Sequence, residues 1–173
     1  DKLANIGGIK SFATKMWSQV KHLKVVEIGR NLFQFIFDKE RDIEMVLSRR
    51  PWIYDSQHLI LKRWEAGLEE DEKALSITLI WVQIWNIPLH WVTKKAGRKI
   101  GSIFSKVEEV ILPQSGGKEG KHLKFLVEID LFIPLNSNGG KRWIEFKYEK
   151  CPDFCFGCGL IGHSEKNSSK KGM

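Results

Sequence analysis

Cys155, Cys158 and His163 stand in the run Cys155-Phe156-Gly157-Cys158-Gly159-Leu160-Ile161-Gly162-His163, which satisfies C-x2-C-x4-H. Two thiolates and an imidazole at this spacing are three ligands of a small tetrahedral zinc site, and the glycines permit the tight turns by which so short a loop wraps one ion. The fourth ligand is expected after four further residues, at position 168, where the chain has Ser168. A neutral serine hydroxyl is a poor zinc ligand beside a thiolate, and loss of one bond in four weakens so small a site by orders of magnitude. Cys151 offers itself from the other side, giving the set Cys151, Cys155, Cys158 and His163, although Pro152 limits how the chain folds back. Two readings stay open: a Zn2+ site completed by Cys151, and a degenerate loop without metal. Because all three cysteines lie between Cys151 and Cys158, they suggest metal and a reducing compartment rather than a disulfide framework.

Other chemistry-bearing residues support less. A cysteine and a histidine in one short loop lack an orienting third group and an oxyanion pocket, so no catalytic residue is assigned and the chain reads as non-enzymatic. Glu69, Glu70, Asp71 and Glu72 have no matching second acid cluster and read as a solvated run. The glycines of Ser115-Gly116-Gly117 and Asn138-Gly139-Gly140 have turn chemistry, since neither stretch has the spacing of a phosphate loop. Lys94, Lys95, Arg98 and Lys99 share one face of a helical pattern and are candidates for phosphate contact, with a solvated surface as the plainer account. Trp52, Trp64, Trp81, Trp85 and Trp143 read as core.

A length of 173 residues suffices for one full core or two small domains, and the net charge of +7 favours polyanions without specifying one. No apolar run approaches the roughly 20 residues of a spanning helix, because Ile77 to Ile87 is interrupted by Gln83 and Asn86 and stopped by Pro88. No membrane association is expected. No secretory signal is visible, and the start at Asp1 without an initiator Met is what a fragment would show.

The elements that must position these residues follow from hydrophobic period and turn chemistry. Ile6, Ile9, Phe12, Ala13, Met16 and Trp17 predict a helix over 6–18. Lys21 to Ile28 and Leu32 to Phe37 predict a hairpin about Gly29-Arg30-Asn31. A helix capped by Asp38, with Ile43, Val46 and Leu47 inward, is stopped by Pro51. Trp52 to Trp64 reads as extended, with a turn at Asp55-Ser56-Gln57 and a strand from His58 to Trp64. This order, helix, strand, strand, helix, strand, is that of a split βαβ sandwich without its first strand. After the acidic stretch come a strand at Ile77 to Ile87, a helix carrying Val92, Ala96, Ile100, Ile103 and Phe104, and strands at Val107 to Leu112, Leu123 to Ile133 and Lys141 to Tyr148. The expected fold class is therefore α+β. An RNA-recognition-like, ferredoxin-like antiparallel domain over 1–66 precedes an acidic linker over 67–76, a second α/β segment over 77–150, and a zinc-binding loop with a disordered tail over 151–173.

Three stretches of the first half carry a resemblance: Leu32-Phe33-Gln34-Phe35-Ile36-Phe37, Arg49-Arg50-Pro51-Trp52 and Leu59-Ile60-Leu61-Lys62-Arg63-Trp64. Trp81-Val82-Gln83-Ile84, Ile87-Pro88-Leu89 and Phe146-Lys147-Tyr148-Glu149-Lys150-Cys151-Pro152-Asp153-Phe154-Cys155 extend it to nearly the whole chain. The chain resembles the plant domain of unknown function found in proteins derived from LINE-type retrotransposons, in which the body precedes a CCHC zinc knuckle. The resemblance implies binding of nucleic acid and zinc, and it implies base stacking at Phe156 and Ile161. Ser168 departs from the family pattern, as does the missing first strand. Phe33-Gln34-Phe35-Ile36 is similar to the core of the RNA-recognition signature, in which alternate aromatics face outward and stack on bases. Phe33 and Phe35 are therefore candidates for base contact, with core packing as the plainer account.

The expected function is that of a module binding single-stranded RNA or DNA, with cations supplying salt-dependent attraction and Phe156, Ile161, Phe33 and Phe35 supplying stacking. The alternatives are a protein-interaction or self-associating module whose sheet edge pairs with another chain, and a decayed element that does not fold stably. The resemblance favours the nucleus over the cytoplasm.

Overall fold

Ile9 and Ala13 are buried one turn apart on α1 (Ile6–Met16), and Trp17 follows at its C-cap, also buried. The helix opens on Asn5, whose side chain accepts the backbone N–H of Gly8 at 2.7 Å and so satisfies one donor that the first turn leaves unpaired. The computed structural model describes residues 3–71, 73–113, 122–133, 145–151, 154–155 and 158–163. Expectations at Glu72, the glycines of 115–117 and 138–140, Trp143, Phe156, Ser168 and the tail 164–173 lie outside the described residues. The chain divides into two compact units, residues 1–50 and 51–173. Its class is α+β with antiparallel sheets, as the periodicities indicate.

In the first unit β1 (Leu23–Gly29) and β2 (Leu32–Phe37) form the predicted hairpin, with Val25 opposite Phe35 and Leu23 opposite Phe37. Asn31 takes the left-handed conformation at the turn, φ 59°, which its short polar side chain tolerates. Its Oδ1 also accepts the backbone N–H of Ala4 at 2.8 Å, tying the start of α1 to the hairpin. Strand alternation turns Phe35 and Phe37 to one side, where their rings lie 5.1 and 6.0 Å from that of Trp17. The second helix, α2 (Glu40–Ser48), is capped by Lys39 rather than Asp38, and that cap has no side-chain hydrogen bond. Glu40 and Asp42 in the first turn instead place negative charge at the positive end of the helix dipole.

The second unit begins with a hairpin of β3 (Trp52–Tyr54) and β4 (Gln57–Leu59). Asp55 and Ser56 both have positive φ, 49° and 64°, the signature of a two-residue turn that matches strand twist. The strand expected from His58 to Trp64 therefore stops at Leu59, and Trp64 is 59% exposed rather than core. Within the acidic stretch, Leu68–Glu70 and Ala74–Ser76 each form a single 3-10 turn.

Four strands then form one antiparallel sheet: β5 (Ile77–Trp85), β6 (Val107–Ile111), β7 (Leu123–Asp130) and β8 (Glu145–Glu149), in the order β6-β7-β5-β8. The strand expected to reach Ile133 ends at Asp130, whose carboxylate accepts the N–H of Phe132 at 3.0 Å and turns the chain. One face of the sheet carries Ile80, Val82, Ile84, Leu123, Phe125 and Val127, all fully buried. Against it lies α3 (Lys94–Gly101), capped by Thr93, whose hydroxyl accepts the N–H of Ala96 at 3.1 Å. The approach depends on two glycines one turn apart. A Cβ at Gly97 would stand 2.6 Å from a methyl of Val110, and one at Gly101 would stand 2.7 Å from Val107 and 3.1 Å from the Phe125 ring. Phe104 closes this core edge-on to Phe146 and Tyr148. Among the described residues, no helix is long and apolar enough to cross a membrane.

Candidate metal centre and the exposed sheet face

Phe154 and Ile161 pair as an isolated antiparallel bridge, and inside it the chain turns back on itself. The N–H of Cys155 donates to the carbonyl of Leu160 at 2.9 Å, and the N–H of Gly159 donates to the carbonyl of Cys155 at 2.8 Å. Gly159 and Gly162 have φ of 75° and 105°, a region in which a side chain strains the backbone. Space is open around Gly162, so its dihedral angle is what requires glycine there.

This turn brings Cys155 Sγ, Cys158 Sγ and a ring nitrogen of His163 within 4.8 Å of one another, with Cys158 Sγ and His163 Nε2 3.3 Å apart. With Zn–S near 2.3 Å and Zn–N near 2.0–2.1 Å, tetrahedral ligand atoms stand roughly 3.5–3.8 Å apart. The spacing and the soft donor set thus fit zinc. Cys155 is fully buried, and Cys158 and His163 are half-buried. These three would hold the ion, which would supply a cross-link and keep both thiols deprotonated.

Cys151, the expected fourth ligand, is not among the converging atoms. Burial pushes its thiol up to about 11. Burial likewise pushes the Tyr148 hydroxyl up to about 12, with a smaller contribution from Cys151. The loop is also seated by apolar contact: Ile161 packs against the sheet core, and the Phe154 ring lies 5.2 Å from Tyr148. Ile161 is thereby directed toward the core rather than presented to a base.

Lys94, Lys95, Arg98 and Lys99 are exposed on α3, opposite the buried Gly97 and Gly101. Phe35 packs edge-on against Trp17, and Phe33 shares its side of the hairpin by alternation. The face expected to hold bases is thus the face turned to α1.

Sequence reasoning missed a second constellation. Trp81 and Trp85, read as core, lie on the sheet face opposite α3 and are half-buried. Trp85 stacks on His122, centroids 4.5 Å apart and planes 19° apart, and Lys147 Nζ lies 4.4 Å from the Trp85 ring. Lys124 Nζ lies 4.6 Å from the ring of Trp81. Trp85 Nε1–H donates to Gln83 Oε1 at 2.8 Å, and the Gln83 amide and the Lys124 ammonium both donate to Glu149. Burial raises the Glu149 pKa, but the hydrogen bonds from Lys124 and Gln83 and the Lys124 charge outweigh it and hold the carboxyl below its ordinary value. The signal was present in the alternation of Trp81, Gln83 and Trp85 with Ile80, Val82 and Ile84, which assigns the tryptophans to the less apolar face.

Residues 1–71 match a domain of unknown function, DUF4283, and residues 136–170 match a zinc knuckle. The uncharacterized protein At4g02000 of Arabidopsis thaliana is 24% identical over 129 residues, covering 70% of this chain. The chain spans about two fifths of that relative's length, 40%. No solved structure matches.

Proposed function

We propose that this chain, a DUF4283 domain followed by a zinc knuckle, is a non-enzymatic module of a plant retrotransposon-derived protein that binds single-stranded RNA or DNA. The observation that carries the reading is the convergence of Cys155, Cys158 and His163 inside the segment that matches a zinc knuckle. Zinc would stiffen the loop. The net charge of +7 supplies attraction to phosphates, and the exposed cations of α3 give it a local surface. On this reading the helix, hairpin and helix of residues 6–48 are the RNA-recognition-like part of the fold, without its first strand, and the nucleus is the compartment of action.

The test is binding of the purified chain to a labelled single-stranded RNA between roughly 50 and 200 mM salt, with zinc and with chelator. A steep loss of affinity with salt is expected, together with weaker binding after chelation. A steep slope indifferent to chelator keeps the function and removes the metal from it. A second reading, a protein-interaction module, draws on Ile28 and Ile36, which are 47% and 41% exposed on the β1–β2 hairpin. Absence of RNA binding at every salt concentration would favour it.

A further inference from the structure

We infer that the face of the four-stranded sheet turned away from α3 is a platform on which unpaired bases stack, centred on Trp85 and extended by Trp81. The inference rests on the nucleic-acid reading above but assigns a site in the body of the chain, outside the knuckle.

A tryptophan placed only to fill a core points inward, and the inward positions of β5 are taken by Ile80, Val82 and Ile84, all fully buried. Trp81 and Trp85 occupy the alternate positions, four residues or roughly 13 Å apart along the strand. Gln83 lies between them, so the rings are separated enough to take different bases.

Both rings are already in contact with cations, Lys124 at 4.6 Å and Lys147 at 4.4 Å. An ammonium on an indole face is held by the same π-electron surface that a base uses. Lysine stems are long and flexible, so on binding the Lys147 ammonium can leave the ring for a neighbouring phosphate while a base takes its place. Lys147 is exposed and Lys124 half-buried, so Lys147 is the better placed of the two to reach a phosphate. Glu149 and Glu128 also lie on this face. Glu149 is satisfied by Lys124 and Gln83, which reduces the negative charge a strand would meet.

The ring of Trp85 is positioned before any ligand arrives. Its indole N–H is fixed by Gln83, Gln83 is fixed by Glu149, and His122 stacks beside the ring. A ring held this way loses little conformational freedom on binding. Leu79 and Leu126, the neighbours of Trp81 on this face, are buried, whereas Lys147 over the Trp85 ring is exposed. Trp85 should therefore contribute more than Trp81.

The experiment is equilibrium binding of a labelled short oligouridylate to the full chain, comparing the unmodified protein with Trp85→Leu, Trp81→Leu and Cys155→Ser. Trp85→Leu is expected to weaken binding on the order of 10- to 100-fold and Trp81→Leu by less, with the thermal transition of the protein retained. Unmodified affinity in Trp85→Leu would overturn the platform and leave the nucleic-acid reading standing. No binding by the unmodified protein at any salt concentration would overturn both. Equal binding of polyglutamate, lost in the same variant, would assign the face to an acidic protein and overturn the platform as a base-stacking site. A measurement free of folding effects is ultraviolet cross-linking of the unmodified protein to a 4-thiouridine oligonucleotide. Adducts on the peptide containing Trp81 to Trp85 support the platform, and adducts confined to other peptides overturn it.

Discussion

In the β1–β2 hairpin Phe35 and Phe37 face α1 and close on Trp17, whereas in β5 the aliphatic residues Ile80, Val82 and Ile84 form the buried face and Trp81 and Trp85 lie opposite. Both strands alternate, with Phe33, Phe35 and Phe37 at every second position of β2 and Trp81 and Trp85 four residues apart on one side of β5. What differs is the side that a helix covers. The hairpin lies in a small unit and gains its apolar contact from large rings. The four-stranded sheet has enough aliphatic area on its inner face to pack α3 closely through Gly97 and Gly101. Its tryptophans are thereby released for the other side, where cations, a histidine and a glutamine surround them.

The contrast can be broken by substitution. Phe35→Ala should destabilise the first unit by about 2–3 kcal/mol, less than loss of a fully buried ring, because Phe35 is half-buried and its removal empties space beside the buried Trp17. Hydrogen exchange at the β1 and β2 amides would register that loss while the amides of β5 and β7 stay protected. The hairpin of β3 and β4 gives a second effect, through pH. Burial lowers the pKa of His58 to about 4, and among the described residues neither ring nitrogen finds a hydrogen-bond partner. The unfolded chain therefore binds the proton more readily than the folded one. Stability is full above about pH 6.5 and falls as the pH drops toward 4, by up to about 3 kcal/mol. Urea melts across that range would show the slope in the unmodified protein and a flatter profile in His58→Leu.

Gly101→Val should cost about 1–3 kcal/mol by forcing α3 away from Val107 and Phe125, read as a lower midpoint for the sheet. Trp85→Leu should cost roughly 1 kcal/mol or less in the same melt, since it leaves the inner core intact and removes mainly the stacked His122 and Lys147 contacts. If Trp85→Leu proves as costly as Phe35→Ala, the two sheets use their aromatics alike and the contrast fails.

Much of the fold was legible because its determinants are local. The hydrophobic period located α1, and Asn31 marked the hairpin turn. The C-x2-C-x4-H spacing located three atoms that do converge, because so short a loop with Gly159 and Gly162 has few ways to close. The errors arose where long-range packing decides. Alternation says which residues share a face but not which face a helix covers, so Trp81 and Trp85 were read as core, whereas for Phe35 core packing, the plainer of its two accounts, is what the hairpin shows. The strand expected through Trp64 ended at Leu59 because Asp55 and Ser56 form a tight turn whose partner strand is only three residues long. Cys151 qualified by distance along the sequence, yet the convergence of ligand atoms passes it by.

Base stacking separates a chain that holds unpaired bases, as proposed, from one that merely attracts phosphate. The most direct test measures the affinity of this chain for one labelled RNA at fixed salt, first single-stranded and then annealed to its complement. Firm binding to the single strand and a loss of at least about tenfold on annealing are expected, because paired bases cannot stack on a protein surface. Equal or tighter binding to the duplex would contradict base stacking and reduce the interaction to charge alone.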